Sequence, residues 1–384
     1  MHNSIFHIVA FAVLLVTLAS GATSPDKQLM NKLVDRYQAN ARSRLPKTGP
    51  CRADNVKVRK EWGDLSNKTR LDYIRAVKCL ASLPSKIGSY KALGARSRYD
   101  DFEAAHIIHT PTIHATGLFF AWHRHIAYLY EKALREECGY SGYLPYWDWA
   151  RWADVPLNTN PLWDGSATSM SGNGKYIPNR NGTVQPGPVS GAPSLYTAPG
   201  TGGGYIYEGP FVNWTLHLGP VVNSVVQNGQ PVTPNPRSDG LGYNPRRMIR
   251  DFNASLVKEG ATYSILTDFL LNKTTIQDFH MPFFSGPHLA GHLFISGYDN
   301  DLYTSPQDPL FWFHHGQVDR MWSIWQGLDY ATREYALDGT LTFGNLPPSR
   351  NVTLDDPMSF EFSPDVPVRR AMSTTKEDYC YIYA

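Results

Sequence analysis

Between Leu118 and Glu137, Phe119, His123, Ala127, Tyr130 and Leu134 recur three or four positions apart, the spacing of one helix face. A long helix is predicted there, with His123 on its inward face and His125 pointing elsewhere, as a structural or solvent-facing residue. Just before it, the stretch beginning at Tyr99 predicts a shorter helix, capped by Asp100 or Asp101 and ended by Pro111, which lacks an amide donor and crowds the preceding turn. In GPHLAGH, residues 286–292, His288 and His292 stand at i and i+4, so on a helix their rings leave one face toward one point. Ser285 and Pro287 suit the start of that helix. A fourth helix is predicted in QDPLFWFHHGQVDRMW, where Asp308 can cap, Pro309 fits the first helical position and the apolar run carries the chain inward. His314 and His315 lie about 100° apart on it, so one of them faces a common centre. His315 is the better candidate because Asp319 and Trp322 share its face, and Asp319 is placed to steady a ligand ring.

From about Asn158 to Asn244 the periodicity weakens and Gly, Pro, Ser, Asn and Thr dominate, which predicts long ordered loops with short strands. Such an insertion lies over a helical core, either walling the entrance to a site or padding the surface. No clean linker separates the histidine-bearing halves, and 384 residues at 42% hydrophobic content suffice for one large core. A net charge of +2 without an arginine-lysine cluster argues against nucleic acid as a partner. Residues Ile5 to Leu18 are apolar but short for a membrane span, and small residues follow, so 1–22 reads as a secretion signal cut near Gly21 or Ala22. Residues 23–384 are then one secreted, extracellular domain, and no later stretch is long and apolar enough to cross a bilayer.

Six Asn-x-Ser/Thr sequons, at Asn67, Asn181, Asn213, Asn253, Asn272 and Asn351, are glycosylation candidates and would mark surface loops on the secretory route. Four cysteines, Cys51, Cys79, Cys138 and Cys380, show no zinc-type spacing, and an even count in a secreted chain favours two disulfides. Of the three possible pairings we expect Cys51 with Cys79 and Cys138 with Cys380, the latter tying the C-terminal segment to the core.

The histidines carry the chemistry. Neutral imidazole suits copper in both of its oxidation states, and two sets of three can hold two such ions. His288, His292 and His315 form the sharper set. In the first half His114 and His123 are joined by His106 or His109, which lie three apart on one face, so geometry barely prefers either. His217 and His280 fall outside these patterns and read as structural. A zinc hydrolase is the rival for an HxxxH pair, but no glutamate base stands between these histidines.

The motifs HIIHTPTIHATGLFFAWHRH, ECGYSGYLPYWDWA, GPHLAGH and SPQDPLFWFHHGQVDRMW together resemble the type-3 dicopper proteins, namely tyrosinases, catechol oxidases and hemocyanins. The chain is most similar to the short secreted fungal tyrosinases and catechol oxidases. The resemblance implies a mainly α fold in which an antiparallel four-helix bundle holds the dicopper site, with long loops and short β-strands around it. It implies copper A on His106, His114 and His123, and copper B on His288, His292 and His315. His106 is favoured over His109 because the family's first ligand stands eight positions before the second. The implied reaction is oxidation of small phenols, o-diphenols to o-quinones, with dioxygen as co-substrate, by a monomer or homodimer. Aromatic residues from Tyr143 to Trp149 then become core packing, and Tyr379 and Tyr381 a structural motif near the end of the catalytic unit. The C-terminal shielding domain of latent tyrosinases is not expected.

Three departures bear on the reaction. Thr112 stands where many fungal members have a cysteine bonded to a ligand ring, so no thioether is expected. Leu289 follows the first copper B histidine, where efficient monophenol hydroxylases carry Asn or Asp, and Gln277 is the nearest polar substitute for their glutamate. Leu302, thirteen positions before His315, replaces the phenylalanine that covers the site in plant enzymes, so access should be open. Diphenol oxidation is therefore expected to exceed monophenol hydroxylation. Substantial monophenolase activity, o-aminophenol oxidation and non-catalytic dioxygen binding, as in hemocyanins, are the alternatives.

Overall fold

The computed structural model describes residues 24–88, 90–222, 226–227 and 230–384; the expected secretion signal lies outside them. The fold is mainly helical, with short two-stranded sheets. Helix α1 (Pro25–Ser43) is capped by Ser24 and buries Met30, Leu33 and Tyr37 against the core. Helix α2 (Asn67–Leu80) starts on Ser66, whose hydroxyl accepts from the Thr69 amide at 3.2 Å.

Helix α3 (Arg98–Ile113) departs from expectation at both ends. Its cap is Ser97, not Asp100 or Asp101: the Ser97 hydroxyl accepts from the Asp100 amide while the Asp100 carboxylate accepts from the Ser97 amide, a reciprocal box. Asp101 instead accepts from the Lys86 amide at 2.8 Å. Nor does Pro111 end the helix. It sits so near the C-terminus that its missing donor forfeits only one bond, the one to the Ile107 carbonyl, while the preceding Thr110 hydroxyl adds a bond of its own to the His106 carbonyl at 2.7 Å. The chain leaves the helix at His114, which is extended (φ −115°, ψ 140°). Helix α4 (Phe119–Glu136) follows its predicted span.

A short turn, α5 (Trp149–Trp152), starts on Asp148; Trp149 is buried with Tyr146 and Trp147 as expected, and Trp152 is half-buried. Helices α6 (Ala254–Gly260) and α7 (Tyr263–Asn272) lead into α8 (Ile276–Phe283). The His288/His292 helix does not begin at Ser285. Helix α8 runs straight on through one π turn, Phe284–His288, into α9 (Leu289–Ile295). Pro287 lacks the amide that a regular helix would use, and the wider i→i+5 turn accommodates that gap. Ser285 donates back to the Met281 carbonyl at 2.9 Å instead of capping. Helix α10 (Leu310–Leu328) is buried around its whole circumference, as befits a central helix. It begins after Pro309, and Asp308 accepts from the Leu310 amide at 2.9 Å while Arg250 grips the same carboxylate at 2.7 and 2.8 Å.

The insertion matches its predicted character: Gly174–Tyr176 pairs with Gly203–Ile206, and Thr183–Gln185 pairs with Leu195–Thr197, both antiparallel. The expected disulfides are wrong in pairing. Cys51 joins Cys380 and Cys79 joins Cys138. The cause is a parallel pairing of Lys57–Arg59 with Tyr381–Tyr383, which lays the chain's last strand beside its early segment and lets the Lys57 amide donate to the Cys380 carbonyl. The end of α2 meets the end of α4, where Arg75 donates to the Cys138 carbonyl at 2.8 Å. Of the sequons, Asn67, Asn181, Asn213, Asn272 and Asn351 are exposed and Asn253 is half-buried; Asn67 and Asn272 lie at helix ends and not in loops.

Candidate metal centre

Four helical segments, α3, α4, the π turn with α9, and α10, bring six histidines to the centre of the fold. His106, His114 and His123 converge, as do His288, His292 and His315, with the candidate ligand atoms of each group within 4.8 Å of one another. The two groups adjoin: the His123 and His315 rings stack with centroids 4.4 Å apart. Phe119 lies against both, 4.9 Å from His123 and 4.8 Å from His288, and Phe311 closes the side next to His315 at 4.2 Å.

Five of the six rings are held by Nδ1. His106 donates to the Tyr303 carbonyl (2.8 Å), His114 to Thr110 (3.1 Å), His123 to Phe119 (2.8 Å) and His288 to Phe284 (3.0 Å), while His292 meets the Asp299 carboxylate at 2.9 Å. A carbonyl can only accept, so Nδ1 carries the proton and Nε2 presents a lone pair. Burial holds all six imidazoles below their ordinary pKa, His114 and His292 down to about 3, so they are neutral at physiological pH, the form that can bind a metal.

This donor set fits metal ions. His292 Nε2 lies 3.1 Å from His288 Nε2 and 3.2 Å from His315 Nε2. Lone pairs facing one another at that distance repel unless a cation sits among them, and ligands about 2 Å from a tetrahedral ion are spaced about 3.4 Å apart. In the first group the Nε2 atoms of His106 and His123 are buried without a partner. A buried polar atom left unpaired is costly, and a metal bond removes that cost.

Several expectations need correction. Asp319 touches no ligand ring. Helical side chains lean toward the N-terminus, so the His123 and His288 rings reach the carbonyl four residues back, and a carboxylate four residues ahead is out of reach. Asp319 instead accepts from Arg124 (2.6 Å), Arg59 (3.4 Å), Tyr381 (2.7 Å) and Tyr383 (2.6 Å). Burial opposes its ionisation, but Arg124 and Arg59 hold its carboxyl below the usual carboxylate range. Since Arg124 follows His123, this ion cluster clamps α4 to α10. Gln277 is exposed and reaches only Asp338, at 3.4 Å, so it offers the centre no polar group.

His109 lies outside the cluster, with Nε2 2.9 Å from Glu361. His125 bonds the Tyr379 hydroxyl, His217 meets Asp100 at 2.8 Å, and His280 donates to the Asp338 carbonyl at 3.1 Å. His314 belongs closer to the centre than its helix position suggests: a ring nitrogen falls within the second group, and neither nitrogen has a hydrogen-bond partner. The ring rests on Gly291, where a Cβ would come within 2.3 Å of it, and its centroid is 5.2 Å from Trp149. Sequence reasoning missed Asp299 altogether, because it follows the break at Ser296 (φ 50°), beyond any helical periodicity from His292.

A cavity of about 200 Å³ opens onto His288 and His292, with Leu289 and Leu302 in its walls. Two adjoining trihistidine groups on a helical core, one reached by an apolar cavity, define a type-3 dicopper centre. The family profile described as the common central domain of tyrosinase matches residues 96–328. The chain is 60% identical over 341 residues to the tyrosinase-like protein orsC of Emericella nidulans, covering 88% of this chain and 92% of that one. It is 40% identical over 343 residues to tyrosinase P of Aspergillus terreus, covering 86% and 93%. A variant of the polyphenol oxidase from Thermothelomyces thermophila superposes with a TM-score of 0.84 at 38% identity, covering 94% of this chain and 99% of that chain. The chain belongs to the tyrosinase family of oxidoreductases, whose members use two copper ions and act on small phenols. Among the described residues no helix is long and apolar enough to cross a membrane.

Proposed function

We propose that this chain is a secreted oxidase of o-diphenols, with weaker activity on monophenols, and that His106, His114 and His123 hold copper A while His288, His292 and His315 hold copper B. When bound, the copper pair supplies dioxygen activation and two-electron oxidation of the phenol to the quinone. The protein's part is placement. Backbone carbonyls and Asp299 fix the ring orientations, and Phe119 and Phe311 keep the centre dry. The cavity admits a ring to the copper B side, since its lining includes His288 and His292 but none of the first group.

Leu289 is the observation that carries the diphenol preference. It lines the cavity next to His288 and has no atom to accept a phenolic proton, and Gln277 is too remote to replace it. Hydroxylation of a monophenol needs that deprotonation, whereas a diphenol is the readier electron donor. One observation favours substantial monophenolase activity as a second reading: Asp299 also lines the cavity, and its Oδ1 is buried without a partner. The disulfides and exposed sequons support passage through an oxidising, secretory compartment.

Oxygen uptake by the copper-loaded protein on tert-butylcatechol and tert-butylphenol decides between the readings. The diphenol should react faster and the monophenol only after a lag, and Leu289→Asn should raise the monophenol rate by at least about tenfold. A monophenol oxidised without lag and faster than the catechol favours the second reading. A protein that takes up two coppers yet forms no quinone overturns both.

A further inference from the structure

The hairpin formed by Thr183–Gln185 and Leu195–Thr197 lies over the cavity at the second histidine group. Its connecting loop contributes Pro186, Pro188 and Pro193 to the lining, opposite Phe284, Leu289 and Leu302. Proline has no amide hydrogen to offer, so at these three positions the roof presents ring carbons, with Gly187 and Ser194 as its other lining residues. Among the described residues that line the cavity there is no lysine or arginine, and the lone carboxyl, Asp299, is engaged with His292. Arg180, in the adjoining cleft, is held by both oxygens of Asp251 at 2.7 and 2.8 Å and is not free to turn inward.

The roof is fixed in place. Asn300 donates to the Thr183 hydroxyl at 3.0 Å and accepts from Thr197 at 3.3 Å, and the Tyr303 hydroxyl donates to the Pro188 carbonyl at 3.0 Å. At about 200 Å³ the space is smaller than the roughly 300–1,000 Å³ of sites for drug-sized ligands, so it suits one ring with a short substituent. A substituent on a ring whose hydroxyls face His288 and His292 lies against the prolines and Leu302. A carboxylate there loses water and gains no counter-charge, only neutral donors such as the Ser194 hydroxyl and the Gln185 amide, an expensive transfer, whereas an alkyl or ester group is stabilised by the apolar contacts.

We propose that the proline-lined hairpin restricts this enzyme to small phenols whose ring substituent is uncharged and largely apolar, and that phenols bearing a carboxylate are discriminated against at this wall. The restriction rests on the oxidase reading above and names the substrate class of that same site.

The test is a matched pair differing in one charge well insulated from the ring, dihydrocaffeate and its methyl ester, offered to the copper-loaded enzyme with tert-butylcatechol as the control. The ester's kcat/KM should exceed the acid's by at least about tenfold, with the difference mainly in KM. Calorimetric binding of the unreactive pair, hydrocinnamate and its methyl ester, should show the same order without turnover. Ser194→Arg, at an exposed position of the lining, should narrow the ratio at least about fivefold by favouring the acid. Equal efficiency for acid and ester, with tert-butylcatechol oxidised normally, overturns the restriction and leaves the oxidase reading intact. Failure to oxidise any of the three catechols overturns both. Should the arginine variant misfold, the ester-to-acid ratio and the calorimetric order in the unmodified protein still decide.

Discussion

Among the described residues His292 is the candidate ligand steadied by a carboxyl side chain; His106, His114, His123 and His288 lean on backbone carbonyls that no substitution removes, with the Thr110 hydroxyl a further 3.4 Å neighbour of His106 Nδ1. Asp299→Ala therefore isolates the worth of a supporting group at this centre. His292 Nδ1 meets the Asp299 carboxyl at 2.9 Å in a fully buried setting that pushes the carboxyl's pKa up, and leaving the buried imidazole N–H without its acceptor costs about 1–3 kcal/mol. At about 1.4 kcal/mol per factor of ten, copper B affinity should fall roughly 10- to 100-fold, the range seen when such partners of metal-bound histidines are removed. Asp299→Asn keeps an acceptor for the His292 proton, so its loss should stay within about tenfold. Competition against a graded series of copper(I) chelators, read as copper retained per chain, gives both numbers without reference to turnover. One copper should leave early in the alanine variant while the other stays. If both ions leave together, or neither leaves sooner than in the unmodified protein, Asp299 does not act through His292 and the argument fails.

Asp319→Ala leaves Arg59 and Arg124 buried without their shared carboxylate and should destabilise the fold by about 3–5 kcal/mol in denaturant titration; chelator competition should register no selective loss of one copper, because Asp319 touches no ligand. Peptide mapping without reduction should recover Cys51 linked to Cys380 and Cys79 linked to Cys138, and Cys51→Ser with Cys380→Ser should cost about 2–4 kcal/mol of stability. In the copper-free protein, His114 and His292 titrate near pH 3 folded against 6.5 unfolded, so between those values the unfolded chain binds more protons. Their contribution is complete above about pH 6.5 and is lost as pH falls toward 3, at about 1.4 kcal/mol per pH unit for each histidine. An unfolding free energy of the copper-free protein that stays flat from pH 6.5 down to 4 would refute this.

Local periodicity made α4, α10 and their candidate ligands His123 and His315 legible, because each lies on a long helix whose inward face is marked by neighbours three and four positions away. Spacing alone left His106 and His109 tied; the fold separates them by turning His109 to Glu361. The π turn escaped notice since Ser285 and Pro287 carry the usual marks of a helix start, and only the preceding turns of α8 make them interior. Asp319 was misassigned for want of side-chain direction, which spacing on a helical wheel does not encode. The Cys51–Cys380 disulfide depends on a three-residue parallel pairing of residues 57–59 with 381–383, too short to leave a pattern and too distant in sequence to be inferred.

Residues 299–303 serve as a common strut. Asp299 orients His292, the Tyr303 carbonyl orients His106, and Asn300 with the Tyr303 hydroxyl anchors the hairpin. Specificity and metal geometry thus share a foundation while their variable parts stay separate, for the hairpin is moored through Thr183, Thr197 and a main-chain oxygen of Pro188, leaving side chains at its tip free to diverge. Descendants of this scaffold can explore new phenols by altering that tip, and only changes reaching the strut itself would trade selectivity against the cofactor.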